Sequence, residues 1–363
     1  MTSPVEVSRP RERFYELDLF RFIAALFIVL HHYLFRGQAE GGYSPVTFAP
    51  WLTTLGQYTT GFNFFFMTTG FLLLMNAGNK TPRQFVVSRT QRLYPAFWVC
   101  CTLTYLLSLL TQNPRFMVSP SDYLANLTML NGFVGIPYVD GAYWTILISL
   151  KFNLLLLLVM SLGQVKHVYW LSCAWLAYSA LVSFIEIPYV DFFLLSSYAP
   201  FFIAGMTVYL IRRDGQKWQY WLLFAASYLV ALYYVVQDAL AKEAYYQVPY
   251  SPTIFMLINT VYFLMFVLIA LNKTKWLQVP FFATLGLITY PLFLLHQNIG
   301  FMAFTYIPVN KYLLLVVLLI VMFTLSYGVY RFVEKPFAKP FGAWLNSVLP
   351  GRSNNPKTQP VRK

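Results

Sequence analysis

The stretch Leu17–Phe35, LDLFRFIAALFIVLHHYLF, constrains this chain more than any other. It is apolar over a length that crosses a hydrocarbon core, which takes roughly 20 residues. Yet it carries Asp18, Arg21, His31 and His32. Ionisable groups inside a span are costly and mark function by default. In a helix, Arg21 and His32 share one face, about 20° apart in azimuth and roughly 16 Å apart along the axis. Asp18 lies on much the same side as Arg21, and His31 points about 100° away. One helix thus presents a guanidinium near its start and an imidazole near its end to a common space. The plainer reading has Arg21 reaching headgroups and His32 bonding a backbone carbonyl.

The rest of the chain repeats the apolar theme. Of 363 residues, 58% are hydrophobic and 11% charged, against about 25% charged in a soluble domain. Apolar stretches at 15–35, 52–76, 93–111, 144–162, 168–186, 192–211, 219–237, 253–271, 282–304 and 312–333 predict an all-α polytopic transmembrane helical bundle of about ten spans. No repeat or second domain is visible. The expected organisation is an N-terminal segment 1–14, a transmembrane domain 15–337 and a basic tail 338–363, disordered from about Gly351. With the N-terminus inside, about twenty of the Lys and Arg fall in inside segments and about four outside (Arg36, Arg115, Lys242, Lys311). Both termini are therefore expected in the cytoplasm, and the net charge of +13 reflects topology, not nucleic-acid binding. Cys100, Cys101 and Cys173 all lie in apolar runs and read as core residues, with no metal-ligand cluster. The first run lacks a cleavage site and reads as a retained span.

Other polar residues stand out against this background. Gly61 and Gly70 suit close helix contacts, and Asn63, Thr68 and Thr69 add polar atoms. Arg89 and Arg92 share a helical face ahead of Pro95, and their forked donors suit phosphate, although inside anchors look the same. The long segment 111–143 reads as an outer loop and carries Asp140. It leads to Tyr143 and Trp144, which suit either sugar stacking or interfacial anchoring, and then to Lys151 inside an apolar run. His296 falls in the outer half of the ninth span, at a depth near that of His32. Glu334 closes the last span beside basic residues.

In order, these segments resemble the membrane acyltransferase-3 family over nearly the whole chain. The similarity rests on Arg21–ten residues–His32; on Gly61 to Phe71, with Thr69 where the family has Ser; and on Arg89, Arg92, Tyr94 and Pro95. It rests further on the Tyr143-Trp144-Thr145 motif, on Thr289 to His296, and on Glu334 to Pro336. One motif departs from the pattern: the family glutamate falls at Ser149 and its terminal tyrosine at Asn153. A serine is neither a carboxylate base nor an ionic partner for imidazolium.

The resemblance implies an integral membrane O-acyltransferase using acyl-coenzyme A, most often acetyl-coenzyme A, from the cytoplasmic side. The acceptor would be a hydroxyl of a surface or lipid-linked glycan or a related exported compound, and the setting a bacterial inner membrane. Arg21, Arg89 and Arg92 suit the donor's phosphates, with its arm running up the stripe to His32 as general base or acyl carrier. Ser149 holds the second catalytic position. Asp140, Tyr143, Trp144, Lys151 and His296 are the expected acceptor contacts. The rival readings are a flippase for a lipid-linked saccharide and a catalytically impaired relative, which Ser149 keeps open beside a divergent enzyme. Homo-oligomers or polysaccharide-assembly partners stay open.

Overall fold

The computed structural model describes residues 13–185 and 187–349. The expected disordered tail end and the arginines before residue 13 lie outside them. The described residues form helices and connecting segments, with no strand among them. Eight stretches are long and apolar enough to cross a membrane: 15–39, 82–111, 141–161, 188–214, 218–246, 252–270, 282–306 and 311–348. The chain is an all-α polytopic bundle.

Helix α1 (Tyr15–His31) runs through the middle and continues as a π-helical turn, His32–Arg36. It meets α2 (Pro50–Tyr58) and α3 (Phe62–Ala77) on one side. The expected span 52–76 is thus two helices, broken at residues 59–61. The carbonyls there are taken by side chains, as an intramembrane break requires. His31 Nδ1 donates to Gly56 O (2.8 Å), Thr59 donates to the same oxygen (3.1 Å), and Tyr262 donates to Thr60 O (2.8 Å). A Cβ on Gly61 would sit 2.0 Å from Ala24 O, so only glycine lets the break press against α1.

Helix α4 (Pro82–Thr111) starts on a reciprocal cap between Thr81 and Gln84, with Pro82 in its first turn. The segment beyond it does not stay outside the bundle. It turns back along α4, where Leu127 O and Thr128 O accept from Trp98 and Tyr94 (2.9 and 2.7 Å) and Tyr123 stacks on Tyr105 at 4.2 Å. Trp98 lies thirteen residues before the end of α4, so the segment returns by roughly 20 Å. Helix α5 (Trp144–Ser161) therefore begins partway through the bundle.

The expected span 168–186 yields α6 (Val168–Val182), too short to cross alone, followed by α7 (Pro188–Leu194). Then come α8 (Ala199–Asp214), α9 (Trp218–Tyr246), α10 (Pro252–Ala270) and α11 (Phe282–Tyr306). Helix α8 crosses α3 backbone to backbone: Cβ atoms on Gly70 and Gly205 would lie 2.2 Å from Phe202 O and 1.9 Å from Met67 O. Small residues at such crossings are what bring helices together in lipid. Helix α11 packs on the other side of α1. The chain closes with α12 (Lys311–Val329), a π turn Tyr330–Glu334 and α13 (Lys335–Val348). Helix α13 lies on α4, held where Arg83 donates to Asn346 O and Leu349 O (2.5 and 3.1 Å). Residues 338–348 of the expected tail are therefore helical and docked.

Candidate functional site

Two cavities face each other across the centre of the bundle. The first, about 640 Å³, opens where α1, α4 and α11 begin. Its wall carries Arg13, Asp18, Arg21, Arg89, Arg92 and Glu334, and further in Phe65, Thr69, Ser149, Asn153, Tyr290 and Phe293. We call this the basic face. Arg13 pairs with Asp18 at 3.0 Å, and Arg21 approaches the same carboxylate at 3.9 Å. Three buried polar atoms of this wall have no hydrogen-bond partner: Arg89 Nε, Asn153 Oδ1 and Glu334 Oε1. Glu334 makes no ion pair among the described residues. Asn153 spends its amide nitrogen on Ser149 O (2.6 Å), which leaves its oxygen open. Buried polar groups are ordinarily paired, so a cluster of open ones marks a place where a ligand completes the bonding.

The second cavity, about 450 Å³, lies on the far face. It is lined by His31, His32, Arg36 and Asn63, by Trp144 and Tyr198, and by a stripe of α9 that includes Tyr234, Gln237, Asp238, Lys242 and Tyr246. Its charges are paired within the protein: Arg36 with Glu40, and Lys242 with Asp238. Tyr245 also donates to Glu40, at 2.7 Å.

The wall between the cavities carries aromatic rings on each side. Phe62 and Trp144 border the far cavity with centroids 5.4 Å apart. Phe65 and Phe293 border the basic cavity at 6.5 Å. Trp144 and Thr145, neighbours in sequence, line opposite cavities.

His32 stands on the far side of that wall, fully buried. Its ring lies edge to edge with that of His296, nearly coplanar, with centroids 4.9 Å apart. Its protonation pattern follows from its partners. Arg36 Nη1 lies 3.3 Å from His32 Nε2, and a guanidinium only donates, so Nε2 accepts. The proton is then on Nδ1, which donates to His296 Nε2 at 2.7 Å. His296 in turn donates from Nδ1 to Phe293 O at 2.9 Å, as a carbonyl that only accepts requires. Tyr33 fixes the same turn by donating to His296 O at 2.8 Å. The relay leaves the basic lone pair of His32 on the ring edge at the far cavity.

The sequence-predicted residues divide accordingly. Arg21, Arg89, Arg92 and Ser149 line the basic cavity; His32 and Trp144 line the far one. The structure does not bring Ser149 and His32 into one cavity. It does bring His296 onto His32, as an orienting partner. Asp140 is fully buried and accepts from Ala142 N (2.8 Å) and Asn298 N (2.9 Å), so it ties α11 to the start of α5. Tyr143 is buried and donates to Leu294 O at 3.1 Å. Neither lines either of these two cavities. Lys151 lies away from both, its ammonium 3.2 Å from the centroid of the Phe192 ring on α7. Sequence reasoning missed Arg36, the stripe on α9 and the orienting bond from His296. A signal for Arg36 existed, because residues four apart on one helix are neighbours.

Two cavities in one helical bundle, one lined with arginines and the other holding a buried, oriented histidine, form the candidate site. A family model described as an acyltransferase domain matches residues 14–331, and the chain belongs to that family, acyltransferase-3. No curated relative and no solved structure matches it. It is thus an integral membrane protein of an acyltransferase family.

Proposed function

We propose that the chain is an O-acyltransferase that takes an acyl group from acyl-coenzyme A, acetyl-coenzyme A first, at the basic face. It passes the group to a hydroxyl of a surface or lipid-linked glycan, or a related exported compound, at the far face. In this reading the basic face is cytoplasmic, as its arginines favour, and both termini are on that side. The membrane is then the bacterial inner membrane.

The observation that carries this reading is the acceptor Nε2 of His32, oriented through His296 and met within the protein only by the 3.3 Å contact from Arg36, with a cavity lined with arginines on the other side of the aromatic wall. Arg21, Arg89 and Arg92 give phosphate-matching forks, and the open Arg89 Nε and Asn153 Oδ1 supply a donor and an acceptor for a ligand carrying phosphates and amides. His32 takes the proton of the acceptor hydroxyl as it attacks the acyl carbon. His296 holds the imidazole in the tautomer this requires, and the imidazolium formed keeps its Nδ1 bond to His296. Trp144, Tyr198 and the polar stripe of α9 form a surface for an uncharged, hydroxyl-rich acceptor.

Purified protein with labelled acetyl-coenzyme A tests this. Turnover in the parent should fall by about 10³-fold in His32→Ala, as loss of a general base predicts. Near-parental turnover in that variant would sink the assignment. The Ser149 departure favours one second reading, a relative that binds donor without transferring it. That reading predicts donor binding with no turnover in any variant.

A further inference from the structure

Acyl transfer moves an electron pair onto the acyl oxygen, so a catalyst needs a donor there as well as a base. The arginines of the basic cavity stand on the other side of the aromatic wall from His32. Arg36 does not. The π turn His32–Arg36 carries it to the same edge of the far cavity as the His32 ring, and such turns recur at functional sites.

Its guanidinium is held on two of its three nitrogens. Nε pairs with Glu40, which is itself held by Tyr245. Nη1 donates to Gln297 Oε1 at 3.1 Å and to His32 Nε2 at 3.3 Å. Nη2 has no acceptor among the described residues. The bond to Nε2 is longer than the usual range for a nitrogen donor. A hydroxyl that takes the Nε2 lone pair can therefore displace Nη1, which stays beside the reacting atoms, held by Gln297, with one N–H free.

We propose that Arg36 is a catalytic residue of this transfer, donating to the acyl carbonyl oxygen as that oxygen becomes an oxyanion. The inference rests on the acyltransferase reading and adds to it. His32 Nε2 accepts the hydroxyl proton while the hydroxyl oxygen bonds to the acyl carbon. The carbonyl π pair moves to the oxygen facing Arg36. On collapse that pair re-forms the carbonyl, the carbon–sulfur bond breaks, and His32 returns the proton to the departing thiolate. Arg36 keeps its charge throughout, because a guanidinium does not surrender its proton.

The test is thiol release from acetyl-coenzyme A by the full chain in lipid nanodiscs, with octyl β-D-glucoside as the hydroxyl acceptor. Arg36→Gln should lower kcat by about 10²-fold, the usual cost of one oxyanion donor. KM for acetyl-coenzyme A should stay within about threefold, because a transition-state contact lowers kcat alone. Guanidinium chloride at low concentration should restore part of the turnover of Arg36→Ala and none of His32→Ala. Arg36→Lys, which keeps charge and the Glu40 partner, should fall between. Parental kcat in Arg36→Gln beside an inactive His32→Ala would overturn the role of Arg36 and leave the acyltransferase reading standing. A loss confined to KM, without guanidinium rescue, would also overturn it. Parental turnover in His32→Ala would remove the acyltransferase reading itself and Arg36 with it.

Discussion

The two cavities differ in how their polar atoms are satisfied. In the basic cavity, Arg89 Nε, Asn153 Oδ1 and Glu334 Oε1 are buried and open. In the far cavity, Arg36 and Lys242 are each matched to a carboxylate of the chain itself. A cavity with an open buried donor and open buried acceptors beside several arginines suits a ligand that brings its own charge and hydrogen-bonding groups. A cavity whose charges are already cancelled suits a neutral, hydrogen-bonding ligand, because an anion there would have to compete with Glu40 and Asp238. In the acyltransferase reading proposed above, the difference gives each face its own substrate and puts the reaction where the faces meet.

The sharpest way to break this division is to remove charge from the basic cavity. A charge-assisted hydrogen bond contributes roughly 1.5–3 kcal/mol. Arg89→Gln with Arg92→Gln should therefore raise the KM for acetyl-coenzyme A by about 100-fold or more, with kcat little changed, in the thiol-release assay. An unchanged KM would reduce both arginines to topological anchors and leave the basic cavity without its proposed ligand.

The aromatic wall is the next point of attack. Trp144 is the far cavity's side of that wall, and its ring packs on Phe62 and on Tyr198 at 5.4 and 6.1 Å. Trp144→Ala should let water reach the donor without an acceptor. Hydrolysis relative to transfer should then rise by about tenfold, equivalent to about 1.4 kcal/mol of barrier. Comparing thiol release with and without acceptor measures the ratio. An unchanged ratio would mean that the ring is an acceptor contact and not a partition.

These cavities were partly legible in the sequence, and the illegible part has a physical cause. Arg21 and His32 on one helix, and the Arg89–Arg92 pair, are read from local spacing, and local spacing survives folding. The depth of α5 is not local. It is set by the segment after α4 turning back to Tyr94 and Trp98. An apolar stretch taken as a full crossing puts Ser149 near His32; one starting partway puts Ser149 in the opposite cavity. The break at residues 59–61 was equally hidden, because the groups that satisfy it, His31 and Tyr262, come from other helices. Arg36 was masked by a different assumption. It follows the apolar run and so counts as an outer loop charge, whereas the helix continues past it as a π turn.

Asp140 gives the smallest expected effect and separates bracing from binding. Its position immediately before Gly141–Tyr143 and four residues before Trp144 suggests an acceptor contact. Its carboxylate instead accepts from two backbone N–H groups, one of them two residues beyond His296 on α11. Asn298 reinforces the joint by donating to Val139 O at 3.0 Å. Removing the carboxylate leaves two buried donors unsatisfied, at about 1–3 kcal/mol each. Asp140→Ala should therefore lower the thermal midpoint by several degrees, on the order expected for that loss in a chain of this size. Below that midpoint the KM for the hydroxyl acceptor should match the parent, because Asp140 lines neither cavity. A raised acceptor KM with an unchanged midpoint would move Asp140 into the acceptor site, and would mean that the far cavity extends past Trp144 toward the start of α5.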